Sequence, residues 1–307
     1  MPPTLGQLRR LALRLNGSGG PLLTLPPTRL PAGGTEPTGL RDYAPGDDVS
    51  RIDWPICARR DEVLTRTYEG RMPSRVDLLI DCSRSMDWPA APTGSPSLES
   101  SEQGDVPAAK TSRTKLALAR RIATLLACAA LGTEETLSIT AFAGRLGQRL
   151  PTARGLGALE RVVRFLAALP IVDEPTRLEH VAAQLVRCRV RPGVVVVVSD
   201  LLDPEGFAAP LDRLRYHGYT PRVVQVYDPS EADPQLLGEA ELVDVESAAT
   251  LPATVTESVA THYRRRFSRL LSDVRAYSAR WGMPWGQFST TTEDDELVRT
   301  LLGVSSA

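Results

Sequence analysis

Asp81, Ser83 and Ser85 stand two residues apart in the stretch VDLLIDCSRSM (76–86), directly after a short apolar run. In an extended loop, side chains at every second position point to the same side. One carboxylate and two hydroxyls aligned in this way present hard oxygen donors, suited to Mg2+ or Mn2+ and ill suited to soft metals. A second carboxylate, Asp200, ends the most apolar run of the chain, VVVVVSD (194–200). An ionised group there is costly unless it is solvated, hydrogen-bonded or close to a cation. Competing chemistry is sparse. The chain has neither GxxxxGK[ST] nor GxGxxG to cradle a phosphate, and no GxSxG elbow. His180, His217 and His262 are scattered and read as helix-surface residues. Of the three, only His180 falls close in sequence to a candidate site loop. Ser83 and Ser85 therefore have no base recognisable in the sequence to activate them as nucleophiles.

The elements that must position these groups alternate from residue 76 to about 230. Apolar runs at 76–81, 136–144, 194–200 and 222–228 read as strands, with an edge strand near 148–150. Between them, helical spacing marks 114–131, 156–168, 177–189 and 206–217. Such alternation predicts a mostly parallel sheet with right-handed crossovers and a ligand crevice at the carboxyl ends of the strands. Asp81 and Asp200 both occupy such ends. Further on, 241–247 reads as a strand and 257–281 as a long helix. The stripe of that helix is Tyr263, Phe267, Leu270, Leu271, Val274, Tyr277 and Trp281. Near the start, 5–15 has helical spacing and Pro21–Gly39 reads as loop. Residues 87–113 are rich in Pro, Ser, Gly and Ala with few large apolar side chains, and are expected to be a disordered insertion.

Bulk properties narrow the function class. A net charge of -1 lacks the basic excess of a nucleic-acid binder. No stretch approaches the roughly 18 apolar residues of a membrane span, and no signal peptide is recognisable. The four cysteines form no CxxC pair and read as reduced, buried thiols of a cytoplasmic protein. Arg264, Arg265, Arg266 and Arg269 read as the solvated face of the long helix.

Asp81-x-Ser83-x-Ser85 after the first sheet strand, with Asp200 after a later one, resembles the metal-ion-dependent adhesion site of von Willebrand factor A domains. The resemblance adds Thr176, although EPTRL (174–178) replaces the more usual Gly-Thr pair and Thr152 is a competitor. In that family the two serines and the threonine or first aspartate hold the cation, and a last position is left for water or a partner's carboxylate. Upstream, the charged segment 40–70 carries Arg41, Tyr43, Gly46, Asp47, Arg51, Ile52, Trp54, Ala58 and Arg59 in a pattern similar to the bacterial DUF58 family. The closing stretch GMPWGQFSTTTEDDELVRTLL is similar to it too, so the likeness spans about 35–303.

The resemblance implies a three-layer α/β, Rossmann-like von Willebrand factor A domain over 72–303. A small β-rich N-terminal segment over 1–71 would precede it; the interleaved charges of that segment read by themselves as a salt-bridged clamp onto the sheet, with Trp54 as apolar anchor, and a direct partner-contact surface is the compatible alternative. The resemblance further implies a Mg2+- or Mn2+-dependent protein-binding module rather than an enzyme. The setting would be that of an adaptor or co-chaperone beside a MoxR-type AAA+ ATPase, in assembly or metal loading of other proteins. Arg84, Met86 and the 87–113 insertion would border the mouth. Two alternatives stay open: a scaffold with a vestigial site, and a metal-dependent phosphoesterase.

Overall fold

The computed structural model describes residues 6, 22, 37–43, 49–60, 62–68, 75–89, 114–133, 135–188, 192–234, 237–244 and 250–302. The expected helix at 5–15, most of the loop at 21–39 and the insertion from 90 to 113 lie outside them, as do Gly46 and Asp47. The chain divides into two compact units, Leu25–Ser74 and Met1–Thr24 with Arg75–Ala307.

In the smaller unit, β1 (Pro37–Asp42) precedes helix α1 (Trp54–Arg60) and pairs antiparallel with β2 (Leu64–Tyr68). Strand and helix share this unit, where the sequence suggested mainly strand. Asp53 sits buried before α1, and its Oδ1 accepts the Ile56 N–H at 3.3 Å. Trp54, which opens the helix, is 65% exposed. The interior position at this helix start is taken by Asp53 as its cap, and the side chain that follows turns outward.

The larger unit is built on β3 (Arg75–Asp81), which is buried at every position after Arg75. Helix α2 (Lys115–Gly132) follows, with Thr114 as its N-cap accepting the Ala117 N–H at 3.2 Å. Then come β4 (Thr136–Phe142), β5 (Leu146–Ala153), α3 (Leu159–Ala167), α4 (Leu178–Arg187) and β6 (Val194–Ser199). They are followed by α5 (Ala208–Tyr216), β7 (Thr220–Tyr227) and the short α6 (Pro229–Ala232). An antiparallel ribbon of β8 (Gly238–Val243) and β9 (Thr250–Val255) leads into α7 (Glu257–Trp281), β10 (Trp285–Ser289) and α8 (Asp294–Leu302).

Six strands form one sheet in the order β10-β7-β6-β3-β4-β5, parallel throughout except for β5, which runs antiparallel to β4. Apolar side chains alternate between its faces. On one face, Leu79, Val195, Val197 and Val223 pack with Leu178, Val181 and Leu185 of α4 and Leu211 and Leu214 of α5. Helix α2 contacts β3, β4, β6 and β7, and packs with α3 and α8. The result is the expected α/β sandwich of a mostly parallel sheet between helices. The chain runs from β3 to β4 on one side and returns to β6 on the other, so the strand order reverses at β3. That is where an open α/β sheet forms its crevice.

The stripe of α7 is only partly interior. Phe267 and Val274 are buried, whereas Tyr263 and Trp281 are each 42% exposed and the Arg215 guanidinium lies 3.5 Å over the Trp281 ring. Arg265, Arg266 and Arg269 are exposed, as a solvated face requires. All four cysteines are free thiols; Cys82 and Cys128 are buried, but Cys188 is exposed, unlike the expected interior thiol. Burial pushes the pKa of Cys82 and Cys128 up to about 12, which leaves both unreactive. Among the described residues no helix is long and apolar enough to cross a membrane.

Candidate functional site

Parallel pairing of β3 with β6 aligns Ile80 with Val198. The next residues, Asp81 and Ser199, therefore meet at the carboxyl edge. Ser199 Oγ donates to Asp81 Oδ2 at 2.6 Å. Thr176, in the loop before α4, donates to the same oxygen at 3.1 Å. Asp81 Oδ1 accepts the backbone N–H of Ser83 at 2.9 Å, which folds the loop after β3 back over its strand. The Ser83 and Ser85 hydroxyls lie 3.1 Å apart. Asp81, Ser83 and Thr176 are fully buried, while Ser85 is half-buried and marks the side open to solvent.

The loop itself is fastened from two directions. Cys82 N–H donates to the Phe142 carbonyl at 2.8 Å, and the Cys82 carbonyl accepts the Val172 N–H at 2.7 Å. Met86 is wholly buried, so it holds the loop to the core instead of bordering a mouth. Arg84 does point outward, paired with Asp173 at 2.8 Å.

Asp200 follows β6 directly and is buried beside this cluster. Its Oδ1 accepts the Leu202 N–H at 3.1 Å, and its Oδ2 accepts from the Lys115 ammonium at 2.8 Å. Between them Leu201 is forced to φ 61°, a left-handed conformation costly for a branched side chain, and its N–H bonds Ser199 Oγ at 3.0 Å. The turn thus trades backbone strain for placing Ser199 and Asp200 at one edge. Burial, and then the charge of Asp200, raise the Asp81 carboxyl to a pKa of about 7, against the pull of its hydrogen bonds from Ser199 and Ser83.

All five residues singled out in the sequence come to one rim of the sheet. Asp81, Ser83, Ser85 and Thr176 join in one hydrogen-bonded cluster, and Asp200 stands next to it, following Ser199 in the chain. Thr152, the other hydroxyl weighed, lies exposed on β5. His180 bonds the Gly144 carbonyl through Nδ1 at 2.9 Å. Among the described residues no group of three or more His, Cys, Asp or Glu side chains gathers to hold a metal. Any cation here would depend on hydroxyl oxygens as much as on carboxylates.

Three members escaped the sequence reading. Ser199 was visible as a hydroxyl beside Asp200 at a strand end. Lys115 carried a signal as well: a cation in the first turn of an apolar helix opposes the helix dipole, and such a residue needs a partner. Glu231, 2.5 Å from the Lys115 ammonium, announced itself only as the last member of a helix-capping sequence, Asp228-Pro-Ser-Glu231.

An uncharacterised protein of Mycobacterium tuberculosis and another of Mycobacterium bovis are each 25% identical to the chain over 279 residues, covering 90% of it and 81% of the relative. Among solved structures, the conserved hypothetical protein BatB of Bacteroides thetaiotaomicron aligns with a TM-score of 0.42 at 13% identity, covering 74% of this chain and 95% of that one. An aerotolerance-related membrane protein of Bacteroides fragilis aligns with a TM-score of 0.42 at 14% identity, covering 75% and 100%. The family described as "Protein of unknown function DUF58" matches residues 39–277, most of the chain, and the protein belongs to that family.

Proposed function

We propose that this rim is a hard divalent-cation site, for Mg2+ or Mn2+, of the von Willebrand factor A adhesion type, and that the chain uses it to bind a carboxylate presented by a protein partner. The observation that carries the reading is the oxygen cluster drawn from two distant loops. In six-coordinate Mg2+, with bonds of about 2.1 Å, adjacent ligand oxygens lie about 3 Å apart. The Ser83 and Ser85 hydroxyls are 3.1 Å apart. Thr176 gives its proton to Asp81, which leaves its oxygen lone pairs available to a cation. Two neighbouring buried carboxylates, one of them raised to a pKa of about 7, favour added positive charge. Asp81, Ser83 and Ser85 would form the core of the site, with Thr176 completing it directly and Asp200 through water. The bound cation would supply an electrophilic position for an incoming carboxylate.

Binding rather than catalysis is favoured because the two serine hydroxyls bond each other, not a base. The adaptor role beside a MoxR-type AAA+ ATPase follows from the family resemblance and belongs to this proposal. A vestigial scaffold has one observation in its favour, the Lys115 ammonium already bound to Asp200. Calorimetric titration with Mg2+ separates the two readings. Affinity in the micromolar to millimolar range, lost in Asp81→Ala, is expected; no heat up to millimolar Mg2+ would leave the scaffold.

A further inference from the structure

Lys115 is the first residue of α2 and its side chain is wholly enclosed. Burying an ammonium is expensive, and placing it at a helix N-terminus adds to the expense. Asp200 and Glu231 meet both demands from opposite sides, at 2.8 and 2.5 Å. Glu231 is itself fixed, since its Oε2 accepts the Asp228 N–H at 2.9 Å. The Asp228 carboxylate accepts from Ser230 and Thr290, and Ser230 Oγ accepts the indole N–H of Trp88 at 3.0 Å. The Trp88 carbonyl accepts the Lys115 N–H at 2.8 Å, which closes the ring. Lys115 is thereby tied to the end of the Ser83–Ser85 loop on one side and to Asp200 on the other.

Both oxygens of Asp200 are engaged, one by Leu202 N–H and one by Lys115. A carboxylate so occupied is a poor direct ligand, and an ammonium beside it repels a second cation. We propose that Lys115 is a positioning residue that sets the affinity and hydration of the cation site. By holding Asp200, it keeps that carboxylate out of direct coordination and preserves positions for water or a partner's carboxylate. The inference rests on the cation reading above, and makes Lys115 the residue that separates a site for exchangeable ligands from a closed metal trap.

The test uses the full chain with Mn2+ as probe. Free ion is followed by electron paramagnetic resonance, and water on the bound ion by proton relaxation. Lys115→Met should bind Mn2+ about 10- to 100-fold more tightly, the range that an outer partner of a metal ligand commands, and with fewer bound waters. Adding Asp200→Asn to that variant should abolish the gain. Glu231→Gln, which leaves the ammonium less compensated, should weaken binding. Unchanged or weaker binding in Lys115→Met with cooperative unfolding retained would overturn the proposal. Should Lys115→Met fail to fold, Glu231→Gln decides, and unchanged or tighter binding there overturns it. Wild type without affinity, but Lys115→Met with it, would uphold the lysine's role and sink the native cation site. No binding in either protein sinks both.

Discussion

Asp81 and Asp200 end adjacent parallel strands, are equally enclosed, and are satisfied by opposite means. Asp81 is surrounded by neutral donors: the Ser83 amide and the hydroxyls of Ser199 and Thr176. Asp200 has a backbone amide and an ammonium. Neutral donors stabilise a buried carboxylate less than a charged one does. Burial, and then the neighbouring Asp200 charge, raise the Asp81 carboxyl to a pKa of about 7 in spite of its hydrogen bonds. One strand end therefore retains a demand for positive charge while its neighbour has that demand met internally. Under the proposed cation reading, an external ion would be taken up on the Asp81 side without Asp200 competing for it.

The contrast breaks most visibly at the lysine. Removing one member of a buried ion pair costs about 3–5 kcal/mol, because the partner's charge is left uncompensated. Lys115→Met is expected to lose that much stability in urea unfolding with EDTA present, with part recovered when Asp200→Asn is added. Asp81→Asn is expected to act with the opposite sign. Its hydroxyl partners can turn to accept from the new amide, and the buried charge disappears. Because the folded chain holds a proton at Asp81 that the unfolded chain releases, metal-free stability should fall as pH rises from about 4 to about 7. Asp81→Asn should flatten that slope. An unchanged slope would show that Asp81 is not the group whose charge is strained.

Addition of Mg2+ sharpens the comparison from the other side. At a hundred times its dissociation constant, a ligand adds about 2.7 kcal/mol, or about 5–10 °C in the melting temperature of a domain this size. Wild type should show that rise and Asp81→Asn should not. Ser199→Ala comes next in size. It removes the 2.6 Å bond to Asp81 and the acceptor of Leu201 N–H, for a loss of about 1–3 kcal/mol. It should also weaken Mg2+ binding at neutral pH, since the Asp81 carboxyl then ionises less readily. A loss of stability with Mg2+ affinity intact would detach Ser199 from the site.

Much of this arrangement was legible because the sheet announces itself. VDLLID and VVVVVS are buried runs ending in polar groups, and fully covered parallel strands produce that pattern. Helix α7 has the limits its periodicity indicated, Glu257–Trp281. Strand β9 was missed because Thr250–Val255 is exposed along most of its length and carries a proline, Pro252, inside a short run. Strand β10 was missed because WGQFS holds a glycine and a glutamine in a run of only five residues. The Lys115 contacts with Asp200 and Glu231 span 85 and 116 residues, and only the packing of α2 against the sheet brings them together. Local spacing encodes which groups can ligate; the long-range counter-charge that tunes them is encoded in topology.

The smallest expected effect tests whether the two strand ends communicate through the loop that joins them. Trp88 donates its indole N–H to Ser230 at 3.0 Å and gives its carbonyl to Lys115 N–H. Trp88→Phe keeps the ring and the carbonyl but deletes the indole bond, at a stability cost of about 0.5–1.5 kcal/mol. With the bond gone, Ser230 and the Asp228–Glu231 cap lose one tether, and Lys115 should share itself less evenly between Glu231 and Asp200. A shift in Mn2+ affinity of a fewfold is expected in the relaxation titration, beside that modest loss of stability. An affinity identical to wild type would mean that the Asp81 loop and the Lys115 network meet at the proposed cation site alone, with nothing passing through Trp88.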